Sequence, residues 1–175
     1  MITLKRILVP TDFSETSAAA VKYGVALAHT FNAELHLMHA EVRHDLEMIV
    51  ERQRAVEALV AEMATTESAP GPDESAEHAA RELLATSLTE QEQKNLQVEY
   101  VLRASGLGGA YVEIVRYAKE RDIDLIVMGT HGRGFVAHML MGSVAEKVVR
   151  RAPCPVLTVR HPEHEFVMPG GEAAG

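Results

Sequence analysis

The chain has 175 residues, 47% of them apolar, and a formal net charge of −8. That length suits one domain able to bury a core without metals or disulfides, and the acidic balance argues against a sequence-blind grip on nucleic acid or an anionic membrane, both of which need a basic face. The lone cysteine, Cys154, excludes an internal disulfide; no apolar run approaches the ~18 residues of a membrane span and Met1 to Arg6 lacks a signal-peptide core, so a cytoplasmic protein is expected.

Arg6 to Pro10 reads as a first apolar strand, closed by a proline that has no amide to give a ladder. Ser14 is a plausible N-cap for a helix whose apolar side falls at Ala18, Val21, Val25 and Ala28. Thr11 and Asp12 therefore lie in a strand-to-helix loop at the carboxyl end of a sheet, the edge where open α/β sheets bind ligands. Asp12 also reads as a helix-capping carboxylate. Glu34 to Ala40 is the second strand, with Leu35 and Leu37 on one face; His36 and His39, three apart, fall on opposite faces, which speaks against a shared metal.

Leu46, Ile49, Val50, Val56, Leu59, Val60 and Met63 form a helical stripe, and Ala76, Ala79, Ala80, Leu83, Leu84 and Leu88 form another. The breaker cluster Thr65 to Asp73 between them is expected to be loop. Val98 to Leu102 is a third strand, followed by a helix that turns Tyr111, Ile114, Val115 and Ala118 to the core.

The most informative stretch comes next. Leu125 to Met128 is a continuous apolar run, the pattern of a parallel strand covered on both faces. Gly129 and Gly132 follow; lacking Cβ atoms, they permit positive φ and close approach of backbone amides to a ligand. Nine residues, Arg133 to Met141, then lead to Gly142 and Ser143. Apolar positions Val144, Ala145, Val148, Val149 and Ala152 recur at helical spacing, so Ser143 sits near a helix start, where unpartnered amides and the helix dipole favour a phosphate. Pro155 to Arg160 is the last strand, and Cys154 before it reads as a small apolar filler. Residues 161–175 look like a flexible tail, with His161 and His164 at most a weak metal trap.

This order of strands and helices calls for right-handed crossovers and a single doubly wound α/β domain with a parallel sheet. The spacing G-x2-G-x9-G-[ST] over Gly129, Gly132, Gly142 and Ser143 resembles the nucleotide-binding loop of the universal stress protein family, in its ATP-binding subgroup. The resemblance extends to Ile7–Asp12 and to Ala152–Val159, and so spans most of residues 3 to 160. It implies a five-stranded parallel sheet of order 3-2-1-4-5 with helices on both faces, as in adenine nucleotide alpha hydrolase-like folds, over residues 1–160 with a helical insertion at about 46–95. It also implies that ATP, with or without Mg, is bordered by Pro10, Thr11, Asp12 and Ala40 and cradled by Met128, Gly129, Gly132, Arg133, Gly142, Ser143 and Val144. Asp12 would accept from ribose hydroxyls or support a phosphate-bound divalent ion. Relatives dimerise through the last strand, which implies a homodimer through Val156 to Arg160.

Enzymatic machinery is not evident beside this cradle. There is no G-x4-G-K-[ST] loop and no recognisable base or water-positioning residue. Arg133 and Lys147 could neutralise phosphate charge or be ordinary solvent-facing groups, and His131 could donate to phosphate but reads better as a solvated turn residue. Strand one is followed by Asp12-Phe13-Ser14-Glu15, not by the Ser-Gly-Gly loop of an ATP pyrophosphatase, and a His-x-Gly-His signature is absent. An ATP-binding sensory or regulatory module in stress response is therefore expected, with an unknown protein partner. Slow ATP hydrolysis or phosphate transfer, including autophosphorylation at Ser143 or a nearby threonine, and a nucleotide-free scaffold acting through the 46–95 insertion are the alternatives.

Overall fold

The computed structural model describes residues 3–42, 72–105, 108–130 and 141–160. The stripe from Leu46 to Met63, Gly106, the loop residues His131, Gly132 and Arg133, and the tail 161–175 lie outside the described residues. Five strands, β1 (Arg6–Pro10), β2 (Glu34–Val42), β3 (Val98–Ser105), β4 (Leu125–Gly129) and β5 (Val156–Val159), form one parallel sheet in the order β3-β2-β1-β4-β5. The helices are α1 (Glu15–Phe31), α2 (Pro72–Thr86), α3 (Glu90–Asn95), α4 (Ala110–Glu120) and α5 (Ser143–Arg151). This is the doubly wound order expected from the sequence.

The period-two alternation of the strands sorts their side chains into two cores. Ile7, Val9, Leu35, Leu37 and Val127 meet Ala20, Val21 and Ala28 of α1 and Leu84 of α2 on one side. Leu8, Met38, Val101, Ile126 and Met128 meet Ile114, Tyr117 and Ala118 of α4 and Ala145 and Val148 of α5 on the other. Both faces are covered, which is why the central strands β1 and β4 read as unbroken apolar runs.

Several boundaries and faces differ from expectation. β2 and β3 run beyond Ala40 and Leu102 because they pair with each other continuously from Leu35↔Val98 to Val42↔Ser105. On α1 it is Ser17, Ala19, Ala20, Val21, Gly24 and Ala28 that are buried, while Ala18 is exposed. The reason is close approach: a Cβ on Gly24 would stand 2.4 Å from Val9 Cγ2, so the face with the least bulk is the one pressed on the sheet. Pro72 and Asp73, expected in a loop, begin α2, a position where proline lacks nothing the first helical turn needs. Of the second stripe, Leu84 and Leu88 enter the core while Ala79 is exposed and Leu83 is 48% exposed. Helix α3, unread in the sequence, starts at a capping box in which Thr89 Oγ1 accepts from Glu92 N and the Glu92 carboxylate accepts from Thr89 N. On α4, Ile114 and Ala118 face inward as expected, joined by Tyr117 and Glu113. On α5, Ala145 and Val148 do so, but Val144 and Val149 remain 37% and 47% exposed. Among the described residues no helix is long and apolar enough to cross a membrane.

Candidate functional site

The sheet order reverses direction between β1 and β4, and at such a switch point the two following loops diverge to opposite faces and leave a crevice at the carboxyl ends. Ile7↔Leu125 and Leu8↔Ile126 set the register; carried two residues on, it brings Pro10 level with Met128. Pro10, Met128 and Thr11 are buried, Asp12, Ala40, Gly129 and Gly142 partly so, and Ser143 and Val144 are exposed. Nine of the eleven expected site residues thus belong to elements that end or begin at this edge. Gly132 and Arg133 fall outside the described residues.

The β1–α1 loop is built by short polar side chains that hydrogen-bond to their own turn. Phe13 N donates to Thr11 Oγ1 at 3.0 Å, and Thr11 Oγ1 lies 3.0 Å from Ser17 Oγ. Asp12 Oδ1 accepts from Ser14 N at 3.2 Å and from Ser14 Oγ at 2.6 Å, while Ser14 Oγ accepts from Ser17 N as the N-cap of α1. Asp12 therefore fixes the cap residue, Ser14, and is not itself the cap that the sequence allowed it to be. Phe13 pays for this tight loop with a left-handed φ of 62°, unusual for a bulky residue. Its ring lies 4.6 Å from that of His39, whose Nδ1 is 2.8 Å from the Thr11 carbonyl oxygen. This clamp of Phe13 and His39 across β1 and β2 had no signal in the sequence.

Gly129 does not use the positive φ that its lack of a Cβ permits; among the described residues Gly109 alone of the glycines does, at 74° as the N-cap of α4. A Cβ on Gly129 would lie 2.8 Å from Thr16 Cγ2 and 3.1 Å from the Thr16 backbone, so this glycine lets the first turn of α1 close on β4. Gly142 is the N-cap of α5 with φ −69° and ψ 152°, and its amide donates to the Thr130 carbonyl at 2.7 Å. Thr130 N in turn donates to Val159 O at 2.9 Å. The two ends of the 131–141 stretch are thereby tied at the tip of β4. The Gly142 amide is committed to that tie, and the amides of Ser143, Val144 and Ala145 are the ones that helix geometry leaves without partners inside α5. Lys147 lies with its Nζ 5.0 Å from the centre of the Tyr111 ring, a cation–π contact on the flank of α5.

A second polar cluster occupies the opposite, amino end of the sheet. His36 is 1% exposed, Glu34 and Glu99 are partly exposed, and one ligand atom from each of the three lies within 4.8 Å of the other two. His36 Nδ1 is 2.8 Å from Tyr117 Oη, which lies 3.2 Å from Glu99 Oε1; Arg121 pairs with the same oxygen. Burial holds the His36 imidazole below its ordinary pKa, against the pull of the Glu34 and Glu99 carboxylates. Partial burial by itself would raise the Glu99 carboxyl, but the hydrogen bond and charge of Arg121 outweigh it and hold it low. A cleft of about 700 Å³ runs along β3 beside this cluster, between Arg81 and Leu84 on one side and Tyr117, Glu120 and Arg121 on the other. His36 and His39 do face opposite sides of the sheet, one toward Tyr117 and one toward Phe13.

The profile of the universal stress protein family matches residues 3–160. The chain belongs to the universal stress protein family. Universal stress protein MJ0531 of Methanocaldococcus jannaschii is 32% identical over 170 residues, covering 92% of this chain and 85% of that protein. Universal stress protein YxiE of Bacillus subtilis is 31% identical over 166 residues, covering 89% and 98%. The solved structure of MJ0577, from the same archaeon as MJ0531, superposes with a TM-score of 0.62 at 27% identity, covering 93% of this universal stress protein and 100% of that one. The five-stranded order and the alternation of helices over both faces are thus those of the family's solved structures.

Proposed function

We propose that this universal stress protein is a cytoplasmic ATP-binding regulatory module that works as a homodimer. The observation that carries the reading is the meeting, at one switch point, of the Thr11–Asp12 loop with the Gly129–Thr130 and Gly142–Ser143 backbone, a pairing of a carboxylate loop with a helix start across adjacent strands. In this reading Pro10, Thr11, Asp12 and Ala40 border the adenosine. Met128 and Gly129 border the phosphate path, the family resemblance adds Gly132 and Arg133 to it, and the amides of Ser143 and Val144, which have no partner inside the helix, receive the phosphates. On the same reading Asp12, held by Ser14 at the end of β1, meets a ribose hydroxyl or a phosphate-bound Mg ion. In this reading the nucleotide is held and sensed, and a partner protein reads the outcome.

The homodimer would form through β5. It is the edge strand beyond β4, its Leu157 is 37% exposed, and an unpaired strand edge is a template for a second copy.

Isothermal titration of nucleotide-stripped protein with ATP and Mg tests the proposal, and absence of heat would remove it. Gly132→Val, which adds bulk where phosphate must approach, is expected to abolish binding with an unchanged circular dichroism spectrum. Incubation with γ-labelled ATP separates a binder, which returns the nucleotide intact, from a slow hydrolase or a protein that phosphorylates itself at Ser143.

A further inference from the structure

We propose that Glu34, His36 and Glu99 form a binding site for a divalent transition-metal ion, zinc in kind, at the amino end of the sheet. The three residues reach one place by strand geometry. Glu34 opens β2 and His36 follows two residues later on the same face, while Glu99 of β3 is the register partner of His36.

The hydrogen-bond directions decide which nitrogen of His36 is available. The Glu99 carboxylate, paired with Arg121, can only accept, so the Tyr117 hydroxyl donates to Glu99 Oε1. The Tyr117 oxygen must then accept from His36, which places the ring proton on Nδ1. In the neutral ring Nε2 is left with a bare lone pair. That atom is buried and has no hydrogen-bond partner among the described residues. It faces Glu34 Oε2 at 3.6 Å, so two electron-rich atoms confront one another, an arrangement that a cation between them would relieve.

The donor set is that of a zinc-type ion. Imidazole nitrogen and carboxylate oxygen are both ordinary zinc ligands, and four-coordinate ligands at about 2.0–2.2 Å from the metal stand roughly 3.3–3.5 Å apart. The Nε2–Glu34 separation is already near this. Glu99 Oε2, 3.7 Å from His36 Nδ1, is the oxygen not paired with Arg121 or Tyr117, so Glu34 and His36 Nε2 are the direct ligands and Glu99 adds negative charge from the Nδ1 side. A ligating histidine whose other nitrogen is fixed by a hydrogen-bonded chain, here Tyr117 to Glu99, is the usual outer arrangement of metal sites. Ions reach the cluster through the cleft along β3, which Glu99 and Tyr117 line. Arg6, 3.8 Å from Glu34, and Arg121 offset part of the negative charge and temper the affinity. Ala40 lies six positions beyond Glu34 on β2, about 20 Å of strand, so this site is distinct from the carboxyl edge.

The test is titration calorimetry of the full chain, stripped with EDTA and desalted, with zinc chloride and no nucleotide. The nine histidines offer other weak sites, so the comparison with variants is the readout. Wild type is expected to bind one zinc at least tenfold more tightly than Glu34→Gln or His36→Gln, with Tyr117→Phe between them. Should the buried His36→Gln fail to fold by circular dichroism, Glu34→Gln at the half-open rim carries the comparison. Equal zinc affinity in wild type and Glu34→Gln, or no zinc binding by wild type, overturns the proposal. So does a nitrogen-15 spectrum showing His36 as an imidazolium at pH 7 with its shifts unchanged by zinc, which would mean that the position belongs to a proton.

Discussion

Gly129→Ala isolates the physical reason for a glycine at the end of β4. Its new methyl carbon would stand 2.8 Å from Thr16 Cγ2 and 3.1 Å from the Thr16 carbonyl carbon and oxygen, against an ordinary carbon–carbon contact of about 3.5–4.0 Å. Rotation of Thr16 relieves the first contact. The second involves backbone in the first turn of α1, which Ser14 caps, so the helix must withdraw by a few tenths of an ångström. Overpacking of this kind costs about 1–3 kcal/mol, and replacing glycine in a strand returns about 0.5–1 kcal/mol of chain entropy. The net expectation is a loss of roughly 0.5–2 kcal/mol, with the melting temperature falling about 2–4 °C per kcal/mol for a chain of this size. Urea unfolding monitored by circular dichroism measures it, with an unchanged m-value showing that the same surface is exposed. The paired control is Gly142→Ser, whose φ of −69° suits any residue and whose hydroxyl adds an N-cap oxygen; its stability is expected within about 0.5 kcal/mol of wild type. Gly129→Ala equal to or more stable than wild type would refute the crowding and, with it, the explanation of this glycine by helix–strand contact.

Leu84→Ala removes a fully buried side chain from the core under α2 and is expected to cost about 2–5 kcal/mol in urea unfolding; a loss below about 1 kcal/mol would show that α2 does not dock on the sheet in solution. Burial, reinforced by the charge of Asp124, pushes the Cys154 thiol above its ordinary pKa, so the folded chain holds that proton more tightly than the unfolded chain. Its contribution to stability is therefore complete below the ordinary thiol pKa and declines as pH rises above it. At pH 8 Cys154 is expected to react with a disulfide reagent several-fold more slowly than free cysteine and to catch up in urea; equal rates in native buffer would contradict this. Leu157→Lys, at a half-open position on the edge strand, is expected to convert a dimer to a monomer by light scattering with the melting temperature little changed, and a persistent dimer would move the interface off β5.

Local periodicity and punctuation made the strand set, the Ser14 cap and the start of α5 legible, because each depends on neighbours within a few residues: an apolar run closed by Pro10, a hydroxyl three residues ahead of an amide, Gly142 and Ser143 ahead of an amphipathic repeat. The helix faces were less legible. Apolarity alone put Ala18 inward on α1 and Val144 and Val149 inward on α5, whereas the side with least bulk, Ser17, Ala20 and Gly24, is what the sheet accepts at close range. The candidate nucleotide residues could be named from motif spacing, but not the commitment of the Gly142 amide to Thr130 or the clamp of Phe13 on His39, since both join segments far apart in the chain.

The sequence by itself determined the class of the fold and the edge at which its loops gather, since strand and helix periods and the right-handed crossover rule are properties of short stretches of chain. Only the tertiary structure decided which atoms meet. Glu34 and His36 announce themselves as neighbours on a strand face, yet Glu99 joins them through the β2–β3 register and Tyr117 through the packing of α4, and it is that chain of hydrogen bonds that leaves Nε2 of His36 facing a carboxylate.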